Sequence, residues 1–166
     1  FNLLFYVCNK NEIIYYFINY VYKMGNQIFK SNHVPRQNDL VSYKYIQDII
    51  EDRNSVLINT LDDSITSQAC LILSSIHAID EIDVIDKILS NTDSLGRTTE
   101  TVEIVIYGKN STDMTTWVKY NQLIDYGFER VKIYTGGIFE WMLLQDIYGD
   151  DLFPTTAPNR DILKFC

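Results

Sequence analysis

EIVIYGKNSTDMTTWVKYNQLIDYGFERVKIYTGGIFEWMLLQDIY, from Glu103 to Tyr148, reads as strand, polar loop, helix, strand, tight turn and helix. Val102, Ile104, Val105, Ile106 and Tyr107 form a nearly unbroken β-favouring apolar run, the pattern of a central parallel strand covered on both faces. The run stops at Gly108-Lys109-Asn110-Ser111-Thr112-Asp113, whose last two residues are good helix N-caps ahead of Trp117, Tyr120, Leu123 and Ile124 at helical spacing. A loop that leaves the carboxyl end of a strand and enters a helix can aim several backbone N–H groups at one point. With the positive end of the helix dipole added, it favours a small anion or a developing thiolate. Gly108, Lys109, Asn110, Ser111, Thr112 and Asp113 are therefore the candidate binding loop, for a small anion or a protein partner.

The rest of the stretch follows the same logic. Gly127 supplies the left-handed residue that ends the helix, and Phe128 folds back on its last turn. Val131 to Tyr134 is the next strand, Thr135-Gly136-Gly137 turns the chain, and a last helix carrying Ile138, Trp141 and Met142 runs until Gly149. Trp141 reads as core.

Upstream, Asp39 to Ser42 followed by Tyr43 to Glu51 predicts a first strand and helix with Ser42 as cap. SVLINTL (Ser55–Leu61) predicts a second buried strand, and LILSSI (Leu71–Ile76) a further apolar segment. Asp80 to Asp86 is acidic at helical spacing, with Ile82, Ile85, Ile88 and Leu89 on the opposite face, the pattern of a solvated amphipathic helix.

In this order the segments resemble a rhodanese-like domain over roughly residues 39–152. The carboxyl half carries the resemblance: IVIYG, KNSTD, IDYGF and VKIYTGGIFEW match an apolar strand, a loop headed by cysteine, a helix ending in Gly-Phe, a strand and Gly-Gly before Trp. The resemblance implies an α/β fold, a mostly parallel sheet of about five strands with helices on both faces. It also implies the family's chemistry, in which the loop's cysteine attacks a sulfane sulfur donor and carries a persulfide. Here that position is Gly108, which has no nucleophile. The family's Asp and Arg after the second strand correspond to Asn59 and Leu61, and its His to Leu71. Ser111 and Thr112 bring hydroxyls to the loop, but an unactivated hydroxyl is a poor nucleophile. The resemblance thus implies a catalytically inactive binding or regulatory module. The enzymatic alternative is sulfur transfer through a displaced cysteine, with Cys70, just before LILSSI, as the nucleophile.

Composition narrows the field. A chain of 166 residues, 46% hydrophobic, suits one domain with a substantial core. A net charge of −8, with 14 scattered basic residues, disfavours nucleic acid, whose phosphates demand clustered Lys and Arg. Cys8, Cys70 and Cys166 are widely separated and the only histidines are His33 and His77, so no zinc site or other cofactor is expected. Sparse, odd-numbered cysteines suit a reducing, cytoplasmic setting.

Before the domain, Ile13 to Tyr22 is apolar but shorter than the ~20 residues that span a bilayer. Residues 1–23 read as a leader ahead of a start at Met24. Gly25 then stands as an N-myristoylation acceptor, although Phe29 occupies the motif's Ser/Thr position, and only that lipid would bring the chain to a membrane. Residues 25–38 read as a flexible arm, and residues 153–166, opening Phe153-Pro154-Thr155-Thr156-Ala157-Pro158, as a carboxyl tail.

Overall fold

All five residues of the strand Glu103–Tyr107 are buried: a strand lies in parallel register on each side of it and a hydrophobic core covers each face. The computed structural model describes residues 33–62, 64 and 69–158; the readings that rest on Cys8, Met24, Gly25 and Cys166 lie outside these described residues. In chain order the strands are β1 (Leu40–Val41), β2 (Ser55–Asn59), β3 (Ser75–Ile76), β4 (Glu103–Tyr107) and β5 (Val131–Tyr134). Among the described residues the helices are α1 (Tyr43–Ile49), α2 (Glu81–Leu89), α3 (Thr115–Asp125) and α4 (Gly137–Tyr148), with a 3-10 turn, Gln37–Asp39, ahead of β1. Every strand pairing is parallel and the sheet order is β1-β5-β4-β2-β3. This is the α/β architecture that the buried apolar strands predict.

The pleat divides β4 between two cores. Val105 and Tyr107 join Leu57, Leu71, Ile138 and Trp141 beneath α1 and α4, while Ile104 and Ile106 join Ile58, Ile85, Leu123 and Phe128 beneath α2 and α3. A strand covered on both faces has no polar alternation, which is why the sequence reads as a continuous apolar run. Ile104 and Ile106 are wholly inaccessible, and each such side chain stabilises the fold by about 1.5–3 kcal/mol. Trp141 is also fully buried, stacked edge-on against Phe153 at 5.0 Å and donating from Nε1 to the Pro154 carbonyl.

Several local expectations gain a physical basis. Gly127 ends α3 at φ 91°, and the Phe128 amide returns to the Leu123 carbonyl. Ser42 occupies the N-cap of α1 but caps without its side chain. The apolar face of α2 is only partly covered: Ile85 and Ile88 are buried, whereas Ile82 and Leu89 stay exposed.

Residues 33–38, read as part of a flexible arm, and residues 153–158, read as the start of a tail, are bound to the domain. His33 donates its backbone N–H to Asn121 Oδ1 on α3, and Asp39, buried, accepts the Tyr120 hydroxyl at 2.9 Å. Burial raises the Asp39 pKa, but hydrogen bonds from the Arg36 backbone, Tyr120 and the Arg36 side chain outweigh it and hold the carboxyl below its ordinary value. Burial and that same carboxylate push the Tyr120 hydroxyl up to about 12. At the other end, Phe153 is buried, Leu73 donates to the Pro154 carbonyl, Thr156 donates to the Leu71 carbonyl, and Ile72 bridges Thr155. The start of the tail therefore closes the core over α4.

Candidate functional site

The carboxyl ends of β2, β4 and β5 converge on Thr60, Gly108 and the Thr135-Gly136-Gly137 turn. Residues 108–113 curl over the start of α3 rather than extending away from it: the Asp113 amide donates to the Asn110 carbonyl at 3.1 Å, closing the turn. Gly108 is buried, Lys109, Ser111 and Thr112 are exposed, and Asn110 and Asp113 lie between.

The centre of this curl is occupied by the chain itself. Asp113 Oδ2 accepts the Lys109 amide at 2.8 Å, and Oδ1 accepts the Thr115 amide at 3.0 Å and the Thr115 hydroxyl at 2.6 Å. A Cβ placed on Gly108 would meet Asp113 Oδ2 at 2.5 Å and Thr116 Cγ2 at 2.9 Å. The backbone donors that sequence reasoning assigns to an incoming anion thus already hold a carboxylate, and it stands against the position where the resemblance expects a thiol. The N-cap of α3 is Met114, one residue later than the sequence predicts, and Asp113 just ahead of it takes the first amide of the helix, that of Thr115.

Electrostatics reinforce this arrangement. Partial burial raises the Asp113 pKa, but the Lys109 amide, the Thr115 hydroxyl and amide, and the nearby Lys109 charge pull it below the ordinary carboxylate value. A carboxylate held so firmly ionised is a weak base. Its short bond to the Thr115 hydroxyl, which also reaches Thr60 Oγ1 at 2.7 Å, therefore organises the loop without activating a nucleophile. Thr112 Oγ1 donates to Asn110 Oδ1.

The second glycine turn is shaped by the same loop. Gly137 has φ 64°, and a Cβ there would meet the Gly108 carbonyl at 2.6 Å and the Asn110 amide nitrogen at 2.8 Å. The Ile138 and Phe139 amides donate to the Gly108 and Lys109 carbonyls, both at 2.9 Å. The N-terminus of α4 is therefore committed to the β4–α3 loop as well. Over Gly136 lies the carboxylate of Glu140, which accepts the Tyr134 hydroxyl at 2.6 Å; burial and this bond raise the tyrosine pKa and keep it a donor.

The remaining candidates fall elsewhere. Asn59 Nδ2 donates to the Ile76 carbonyl and Oδ1 accepts the Leu61 amide, so it ties β2 to β3; Leu61 and Leu71 are core. Cys70 is 3% exposed, packed near the Tyr107 hydroxyl, and does not reach the loop surface. His77 is exposed. Among the described residues, no three His, Cys, Asp or Glu side chains are grouped to hold a metal ion, and no helix is long and apolar enough to cross a membrane. Sequence reasoning missed the infilling by Asp113; the Asp113-x-Thr115 spacing, an Asx-type cap, was its available signal.

No protein-family profile and no curated protein matches the chain. Among solved structures it is similar to the Alr3790 protein from Anabaena sp., at 19% identity over 75% of this chain and 98% of that one, with a TM-score of 0.49. It is similar to the BH2092 protein from Bacillus halodurans at 16% identity, covering 82% of this chain and 83% of that one, with a TM-score of 0.45. A protein from Lactobacillus plantarum aligns at 12% identity over 82% of this chain and 96% of that one, with a TM-score of 0.44.

Proposed function

We propose that this chain is a rhodanese-like domain that lacks sulfur-transfer chemistry and works as a cytoplasmic binding or regulatory module. One observation supports the reading: above Gly108, where the resemblance puts the nucleophile, the space holds the Asp113 carboxylate, bonded to the amides of Lys109 and Thr115. A persulfide or an incoming sulfur donor would have to displace an anion that the loop already neutralises. With those amides engaged, a free small anion is the weaker ligand. The exposed tip formed by Lys109, Ser111 and Thr112 is then a contact surface for a protein partner. Nothing in the site favours the displaced-thiol alternative, because Cys70 is enclosed by the core.

The test is a sulfane-sulfur transfer assay from thiosulfate to cyanide with the full chain and its Cys70→Ser variant. No turnover above the uncatalysed rate is expected from either. Turnover by the full chain that disappears in Cys70→Ser would replace this reading with the enzymatic one.

A further inference from the structure

A cleft of about 350 Å³ opens at the amino ends of β4 and β5, lined in part by Glu103 and Lys132. It lies at the opposite end of the sheet from Gly108, about 17 Å away along β4 at ~3.3 Å per residue. Glu103 begins β4 with its side chain only 9% exposed. Oε2 accepts Arg130 Nη2 at 2.6 Å, whereas Oε1 is buried and has no hydrogen-bond partner among the described residues. A buried acceptor left in that state is destabilising, and it is the kind of group a bound donor satisfies. Lys132 has the opposite deficit: its Nζ reaches only the Asn38 carbonyl at 3.4 Å and the face of Tyr45 at 5.1 Å, and it forms no ion pair among the described residues. The cleft walls carry three cations, Arg36, Arg130 and Lys132, and three carboxylates, Asp39, Glu103 and Glu129. Three against three leaves no net charge, which suits a ligand of both signs better than a simple anion or cation.

We propose that this cleft binds a small zwitterion. Its ammonium group donates to Glu103 Oε1 in the cleft wall beside the half-exposed Arg130, and its carboxylate or phosphate is held by Lys132. Arg36, although paired with Asp39 at 3.3 Å, adds a second cation at the mouth. This site is independent of the loop at Gly108.

The experiment is thermal unfolding of the full chain with O-phosphoethanolamine and with glycine, the two sources of the anionic group. Ethanolamine and inorganic phosphate serve as the two halves. At about a hundredfold excess over Kd, one of the zwitterions is expected to raise Tm by several degrees, well beyond either half. Glu103→Gln and Lys132→Met are each expected to abolish the rise while leaving the far-ultraviolet circular dichroism native. If Glu103→Gln does not fold, Lys132→Met at its partly exposed position decides alone. No rise with either zwitterion, an equal rise with a half-ligand, or a rise that survives the available substitutions overturns the proposal.

Discussion

Asp113 and Gly108 form a lock: the aspartate carboxylate occupies the space that any side chain at position 108 would enter, 2.5 Å from its Cβ. The contact joins the end of β4 to the residue ahead of α3, so the amides that could cradle an anion in this loop are already filled by its own carboxylate.

Installing a cysteine at position 108 therefore requires a second change. Gly108→Cys alone should displace the Asp113 carboxylate from its donors, destabilise the protein by about 1–3 kcal/mol and leave a thiol that accepts no sulfur. Gly108→Cys combined with Asp113→Gly frees the Lys109 and Thr115 amides, and the new thiol should titrate below the ordinary cysteine value of about 8.5. The pH dependence of alkylation and persulfide formation from thiosulfate measure both. An ordinary thiol pKa in the double variant would argue against a cradle.

Gly137 should be the more demanding of two left-handed glycines. At Gly127 (φ 91°) an added Cβ meets nothing within 4 Å, so Gly127→Ala carries only the conformational penalty, about 1 kcal/mol. At Gly137 the same penalty is joined by overlap with the backbone of Gly108 and Asn110, and Gly137→Ala should cost about 2–4 kcal/mol. Urea midpoints of the two variants separate these costs. Equal losses would mean that the two loops do not touch.

Acid should weaken the protein through identified carboxylates. The paired Arg97 guanidinium holds Asp93 down to about 2, against burial that raises it, and Asp113 is likewise depressed. For a group whose folded pKa lies below its unfolded value, the stabilisation is fully present above the unfolded value near 3.8 and disappears as pH falls through the folded one. Unfolding free energy followed by urea titration should therefore fall between about pH 4 and 2. Asp93→Asn should remove about 1–2 kcal/mol at neutral pH and make the acid limb shallower. An unchanged limb would leave that pair without a role in stability.

Cys70 should be silent in the native state. With Cys8 and Cys166 replaced by serine, the remaining thiol should react with an aromatic disulfide only at the rate of unfolding, because Cys70 is 3% exposed. Rapid native labelling would reopen the sulfur-transfer alternative.

Much of the architecture was legible in residues 103–148. β4 is continuously apolar because both faces are covered, and the glycines at 127 and 149 mark helix ends through their left-handed backbones. The amino half was fainter for a physical reason: β1 and β3 are two residues long, too short for a period to emerge, and LILSSI is interrupted by a turn at Leu73 and Ser74. The attachment of residues 33–39 and 153–158 could not be read at all, since Tyr120, Trp141 and Gln145 hold them from distant parts of the chain.

By itself the sequence determined the alternation of buried strands and helices, and the absence of any side chain at position 108, because hydrophobic period and side-chain identity are local properties. Only the tertiary structure decided what the β4–α3 loop holds. Whether its amides face solvent or a carboxylate depends on how the chain curls between Gly108 and Thr115 and on the pressure of α4 behind it. The unpaired oxygen of Glu103 is likewise a fact of packing: nothing in a lone glutamate at the head of a strand says which of its two oxygens will meet an arginine.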